Sequence, residues 1–198
     1  MEAFWRFRSW TVPVTVVVAL LTGVLVLATS GTSTASTTLF LTDPRGTPVF
    51  RDGSSTPTDL ERYARQRAEF ADSATIHADV VAALAAAGVG GLNVETVDDA
   101  VTTGTTASAD VRIACTHASE QIALAICDAT VDAYLDRTAA DTRALADATV
   151  DAFLEERSRL VDQGGGQSTI DQIDLQIAEV RSEAALFGDG VEFVEPAE

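Results

Sequence analysis

The chain has 198 residues, 46% of them hydrophobic and 6% aromatic, which suits one folded domain with attachments and excludes disorder throughout. Its 13 basic residues are all Arg and face 30 Asp and Glu, a net charge of −17 that repels phosphate backbones and argues against nucleic acid as a partner. Two cysteines, Cys115 and Cys127, are too few for a disulfide scaffold and lack the paired spacing of a zinc ribbon or a redox motif.

In chain order the first feature is apolar. No residue from 9 to 42 is charged, and residues 10–28 are dense in Val, Leu and Ala. About 20 helical residues at about 1.5 Å each cross the roughly 30 Å hydrocarbon core, so a transmembrane helix is expected over 10–30. Pro13 falls in its first turn, where a missing N–H costs little. Arg6 and Arg8 precede the segment, Trp10 suits the interfacial belt, and an uncharged Ser/Thr/Gly run follows. These topology determinants put residues 1–9 in the cytoplasm and 31–198 outside, as a single-pass cell-membrane protein in contact with the lipid bilayer. A cleavable signal peptide is the competing reading, but an apolar run of roughly 18 residues exceeds the 7 to 15 typical of one. Both readings export the remainder.

Thr37-Thr38-Leu39-Phe40-Leu41 has the β-branched and aromatic content of a strand, closed by the turn Asp43-Pro44-Arg45-Gly46, and a short second strand is expected at 47–50. Thr56-Pro57-Thr58-Asp59 is a helix start, with Thr as N-cap, Pro at the first helical position and an acid three residues after the cap. That helix is expected to run to Ala87 and stop at Gly88. Leu60, Tyr63, Phe70, Ala74, Val81 and Leu84 lie within about 60° of one direction and predict its packed face. A strand is expected at 92–97, a polar stretch at 98–110 and a half-buried alternating strand at 111–116.

No Pro or Gly interrupts residues 118–163, which allows a helix near 65 Å long. Val131, Leu135, Leu145, Phe153 and Leu160 fall within about 40° of one line and mark a single sparse apolar stripe. Gly164-Gly165-Gly166 ends the helix, and Ser168 opens the next with Asp171 at the third position. There Ile170, Ile173, Ile177, Val180 and Ala184 repeat at spacings of three and four, a coiled-coil seam. A hairpin over about 118–187 follows, closing at Gly188-Asp189-Gly190 and entering a last strand at 191–194. The fold class expected is α+β: a small strand-and-helix base whose first and last strands pair, a long protruding helical hairpin, and one transmembrane helix before them.

This order of elements resembles the polysaccharide co-polymerase family, the chain-length determinants of surface polysaccharide assembly and the related modulators of bacterial tyrosine kinases. The likeness covers most of the chain. It rests on the basic-aromatic start Arg6, Phe7, Arg8, Trp10 and on the strand Ala35-Ser36-Thr37-Thr38-Leu39-Phe40-Leu41 leading to Asp43-Pro44. A helix reading Tyr63, Gln66, Phe70, Ser73, Ile76, Val80, Leu84 is similar to the family's Ser-x-x-Val-x-x-x-Val helix. Ala123, Ile126, Asp128 and Tyr134 after the strand at 111–116 are similar to its Ala-x-x-Ile-Ala-Asn-x helix start. Residues 187–197, from Phe187-Gly188-Asp189-Gly190 to Glu195-Pro196-Ala197, are similar to the segment before the family's second span. The sequence departs from the pattern at Ser119-Glu120, where the family often has Asp-Pro, and it stops soon after Ala197, so a shortened chain or a one-span relative is expected. The resemblance implies ring-like homo-oligomers, with a polysaccharide polymerase and a tyrosine kinase as partners.

Nothing in the sequence points to a catalytic, cofactor or metal site. His77 and His117 have no Ser or Cys nucleophile motif beside them, which favours surface or capping roles. The triple glycine is followed by no Lys-Ser/Thr and is a turn, not a phosphate loop. Asp98-Asp99 and Glu155-Glu156 have the residue types of glycosidase carboxylates, but adjacent residues diverge, and 30 acids produce such pairs by chance. Calcium at Asp52-Gly53 or Asp189-Gly190 would lack a loop of alternating ligands. A Cys115–Cys127 bridge stays open, with the helix expected to carry Cys127 away from its partner. The function expected is a nonenzymatic scaffold regulating polysaccharide polymerisation, chain length or export. The alternatives are a binding or stalk module of the cell envelope, or an envelope glycan enzyme using Asp98, Glu155 and Glu156.

Overall fold

The computed structural model describes residues 31–42 and 60–197; the expected turn at 43–46, strand at 47–50 and helix start at 56–59 lie outside the described residues. Strand β1 (Ser33–Leu41) buries Ala35, Thr37 and Leu39 and leaves Thr34 and Phe40 to solvent. That period of two is what a sheet with one covered face requires. β3 (Val111–His117) runs antiparallel on one side of β1 and β4 (Val191–Glu195) on the other, with β2 (Val101–Thr105) beyond β3. The first and last described strands are therefore neighbours, with Leu39 opposite Val194 and Phe40 opposite Phe193. The covered face meets helices α1 (Leu60–Ala71), α2 (Ala74–Ala86), α3 (Val94–Ala100) and the first third of α4 (Glu120–Asp162). One core joins Leu39, Val111, Ile113 and Cys115 of the sheet to Ile76, Val80, Val97, Ile126 and Tyr134 of the helices. A fifth helix, α5 (Gln167–Phe187), returns beside α4 and leads into β4.

Local chemistry explains where these elements differ from expectation. The single helix expected up to Ala87 is two, because Ser73 takes an extended backbone (φ −87°, ψ 149°) and its Oγ accepts from the Ile76 N–H at 3.5 Å. A Ser that satisfies a helix N-terminus from outside starts a helix rather than continuing one. α1 fully buries the small face Ala64, Ala68 and Ala71 and only half-buries the larger Leu60, Tyr63 and Phe70, and the Thr103 hydroxyl of β2 reaches the Ala68 carbonyl at 3.0 Å. The strand expected at 92–97 is helix α3, capped by Asn93, whose Oδ1 accepts from the Thr96 N–H at 2.8 Å. The polar stretch at 98–110 holds β2, whose Thr residues are β-branched.

The fold class is corrected in one respect. Mixed helix and antiparallel sheet are there, but among the described residues no helix is long and apolar enough to cross a membrane. Apolar α2 has 13 residues, about 20 Å, and the longer α4 carries an Asp or Glu on nearly every turn. A single-pass membrane location, with its cytoplasmic N-terminus and exported domain, thus finds no support in the fold. Residues 10–30 and the topology determinants Arg6, Arg8 and Trp10 lie outside the described residues.

The alternation in β1 sets a contrast between neighbours. Leu39→Ala should cost about 2–5 kcal/mol in chemical denaturation, since it empties a wholly buried site. Phe40→Ala, which removes only a solvent-facing ring 5.7 Å from Phe193, should cost under about 1.5 kcal/mol.

Candidate functional site: a helical hairpin rooted on the sheet

α4 has 43 residues and α5 has 21, about 65 Å and 32 Å of helix. The root of α4 buries Ala123, Ile126, Cys127, Thr130, Val131 and Tyr134 against the sheet and α2. Around Tyr134 an aromatic collar forms. Phe70 meets its ring edge-on at 6.0 Å, and the Arg67 guanidinium lies 5.9 Å from the Tyr134 ring and 5.4 Å from that of Tyr63. Arg67 Nε also donates to the Tyr63 hydroxyl at 3.2 Å. Burial pushes the Tyr134 phenol above its ordinary range, against the pull of Arg67.

Beyond the collar the buried line of α4 continues through Thr138, Thr142, Ala146 and Val150, now against α5. Val150, Ile173 and Ile177 form a small second core, with Phe153, Leu160 and Val180 packed on it. Arg157 Nε donates to Asp174 Oδ1 across the two helices at 2.8 Å, an exposed pair worth well under about 1 kcal/mol. The turn is a Schellman cap: Gly164 is at φ 70°, the Gly165 N–H reaches the Leu160 carbonyl at 2.8 Å, and the Gly164 N–H reaches Val161. A side chain at Gly165 would meet the Leu160 carbonyl at 2.9 Å. At the far end Phe187 is buried, and Gly190, at φ 73°, leaves room for its ring.

The expected seam is brought together. Ile170, Ile173 and Ile177 are buried, and Val180 and Ala184 are half-buried. Of the expected stripe on α4, Val131 and Leu135 pack on the main core and Phe153 and Leu160 on the second, but Leu145 is exposed, and the buried positions between the two groups are the small or polar Thr138, Thr142 and Ala146. What the seam leaves outside is apolar too. Leu154 and Val161, seven residues apart, share one face of α4, while Leu175 and Leu186, eleven apart, share the outer face of α5 at 71% and 83% exposure.

At the base, a feature absent from the sequence reading stands out. His77, expected at the surface, is fully buried. Its Nδ1 lies 3.2 Å from Asp98 Oδ1 of α3, and its Nε2 lies 3.5 Å from Asp72 Oδ1 at the α1–α2 junction. The signal was the spacing Ser73, His77, Val80, Leu84, which puts the imidazole on the buried line of α2. Burial raises the Asp72 carboxyl above the usual range; His77 opposes the shift and Asp98 adds to it. Among the described residues no hydroxyl or thiol is hydrogen-bonded to the ring, and the array joins the α1–α2 junction, α2 and α3. His117 Nδ1 accepts from the Ser119 N–H at 3.0 Å, a capping role at the start of α4.

The acids weighed for catalysis do not converge. Asp98 faces His77 at the base, Glu156 pairs with Arg159 on the hairpin, and Glu155 is exposed. A groove of about 630 Å³ between α2 and the root of α4 has an Ala floor and a rim of Asp79, Asp128, Asp132 and Asp136, with neither histidine nor thiol in its lining. Among the described residues no group of three or more His, Cys, Asp or Glu side chains has the arrangement of a metal site. No protein-family model matches the chain, and neither does any curated protein or solved structure.

The seam separates two neighbouring positions on α5. Ile177→Ala should cost about 2–4 kcal/mol by denaturant titration, whereas Leu175→Ala should stay within about 0.5 kcal/mol of the parent. Asp72 sets a pH dependence. A folded acid with a raised pKa contributes stability that is full below the unfolded pKa and is lost as pH rises through the folded one. Asp72→Asn should therefore gain on the parent between about pH 3 and 6, measured as the difference in denaturation midpoints.

Proposed function

We propose that the protein is a nonenzymatic scaffold for polysaccharide assembly, in which the hairpins of several copies stand side by side and set how long a glycan polymer grows. The observation that carries this reading is the hairpin itself, rooted on a sheet and bearing Leu154, Val161, Leu175 and Leu186 on faces its own seam does not cover. Single exposed Leu residues are ordinary, but four on one projecting element give neighbouring copies apolar area to bury at about 25 cal/mol per Å². The ordered likeness to polysaccharide co-polymerases supplies the substrate class, and a glycan polymerase is the partner the reading requires. Charge opposes association, since the chain carries −17 in all. Salt screening, together with exposed Arg137, Arg143 and Arg181 facing acids on a neighbour, offsets it.

Sedimentation of the full chain should show a species larger than the monomer that grows with salt. Leu175→Glu combined with Leu186→Glu should return it toward the monomer with the thermal melt unchanged. In the source cells, deletion of the gene should alter the length distribution of surface glycan on gels. A strict monomer at every salt concentration, or an unaltered length distribution, would rule the scaffold out.

A further inference from the structure

Cys115 and Cys127 are both free and both wholly buried. They come from different elements, β3 and the root of α4, and converge on one residue. Ala35 of β1 is the cross-strand partner of Cys115, and both point into the core. Directly opposed residues in an antiparallel pair hold their Cβ atoms about 4.5–5.5 Å apart. The Cys127 thiol donates to the carbonyl oxygen of that same Ala35 at 3.6 Å. The two thiols thus converge on a single point of the sheet, one through the strand pairing and the other through its hydrogen bond. A buried cysteine by itself packs as a small apolar group. Two that converge on one residue have a chemistry available that neither has alone.

We infer that Cys115 and Cys127 form a redox site, an intramolecular disulfide that fastens the root of the hairpin to the sheet when the chain meets a disulfide oxidant. The bond would close the short loop made of the end of β3, the His117–Ser119 cap and the first two turns of α4. A disulfide needs sulfurs about 2.05 Å apart on Cβ atoms about 3.5–4.5 Å apart, a separation within reach of two side chains that converge on Ala35. The partners are unequal. The shared hydrogen bond lowers Cys127 and raises Cys115, and burial raises Cys115 further. Within the closed pair Cys127 is therefore the more readily ionised thiol. With oxidised glutathione as the oxidant, Cys127 Sγ attacks one sulfur of the glutathione disulfide and expels one glutathione thiolate. The Cys115 thiolate then attacks Cys127 Sγ of the mixed disulfide and expels the second. Two protein thiols lose two electrons, one glutathione disulfide gains them, and the two protons pass to the departing thiolates. Because neither sulfur reaches solvent, exchange needs the root of α4 to lift from the sheet, as it does during folding or local opening. Once closed, the bond is shielded from reductants in the same way.

The full chain is incubated with oxidised glutathione in sub-denaturing urea, quenched in acid, unfolded and treated with N-ethylmaleimide, and its intact mass is recorded. The expected product is a monomer about 2 Da lighter than the reduced chain that takes up no maleimide; a reduced control takes up two. Its melting temperature should exceed that of the reduced protein by about 5 to 10 °C, the shift expected for closing a loop of this size. Cys115→Ser should stop at a glutathione adduct on Cys127, with no reductant-dependent shift in melting. Uptake of two maleimides, two stable glutathione adducts, or disulfide-linked dimers would overturn the inference. The alkylation count on the parent chain decides it even if a Ser variant fails to fold.

Discussion

Tyr134 sits where one continuous helix changes partners, and the architecture turns on that change. N-terminal to it, α4 buries Ala123, Ile126, Thr130 and Val131 against the sheet; beyond Leu135, among the described residues, α4 buries chiefly against α5. At 100° per residue the buried line moves roughly 120° around the axis between the two halves. A helix that served the sheet alone could stop after three or four turns. Because this one does not stop, its outer half needs a second helix, and the Schellman turn at Gly164 supplies one at once. The collar of Phe70, Arg67 and Tyr63 is the joint between the halves, fixing the angle at which the hairpin leaves.

The two halves differ in how firmly they are held. The base has a broad core that includes sealed side chains from every described strand but β4, and from four helices. The hairpin has three buried aliphatic side chains in its inner cluster and two Thr and an Ala where a bundle would carry Leu. Thin packing between two helices leaves more of their apolar surface facing outward, which is why Leu154, Val161, Leu175 and Leu186 are open. Rigid base and lightly packed arm suit an element that finishes its packing against another molecule. In the proposed assembly the acidic surface would oppose that step, since like charges on neighbouring arms repel over about 10 Å in moderate salt and less as salt rises.

Much of this was readable from residue spacing. The triple glycine, the Ser168 start and the three-four repeat of Ile170, Ile173 and Ile177 gave the hairpin, because local turn chemistry and seam periodicity both acted in one direction. The strands at 37–41, 111–116 and 191–194 were legible for the same reason. Failures came where two local signals competed. Val94 and Val97 read as a strand, yet the Asn93 cap started a helix. Thr102, Thr103 and Thr105 read as a polar loop, yet β-branched residues beside β3 extend a sheet. The stripe drawn through Val131 and Leu145 assumed one partner for the whole of α4. His77 was missed because its burial depends on Asp72 and Asp98, which only the packing of three helix segments brings to it.

The adjacency of β1 and β4 also fixes an order of events. Leu39 meets Val111 across 72 positions of chain and Val194 across 155, so the second pairing closes the longer loop and costs about 0.7 kcal/mol more in chain entropy. On a ribosome β1 emerges well before β4 and stays without that neighbour until the hairpin between them has been made. Through that interval the Leu39 and Phe40 edge is open to any passing strand, and the finished hairpin is what delivers β4 to cover it.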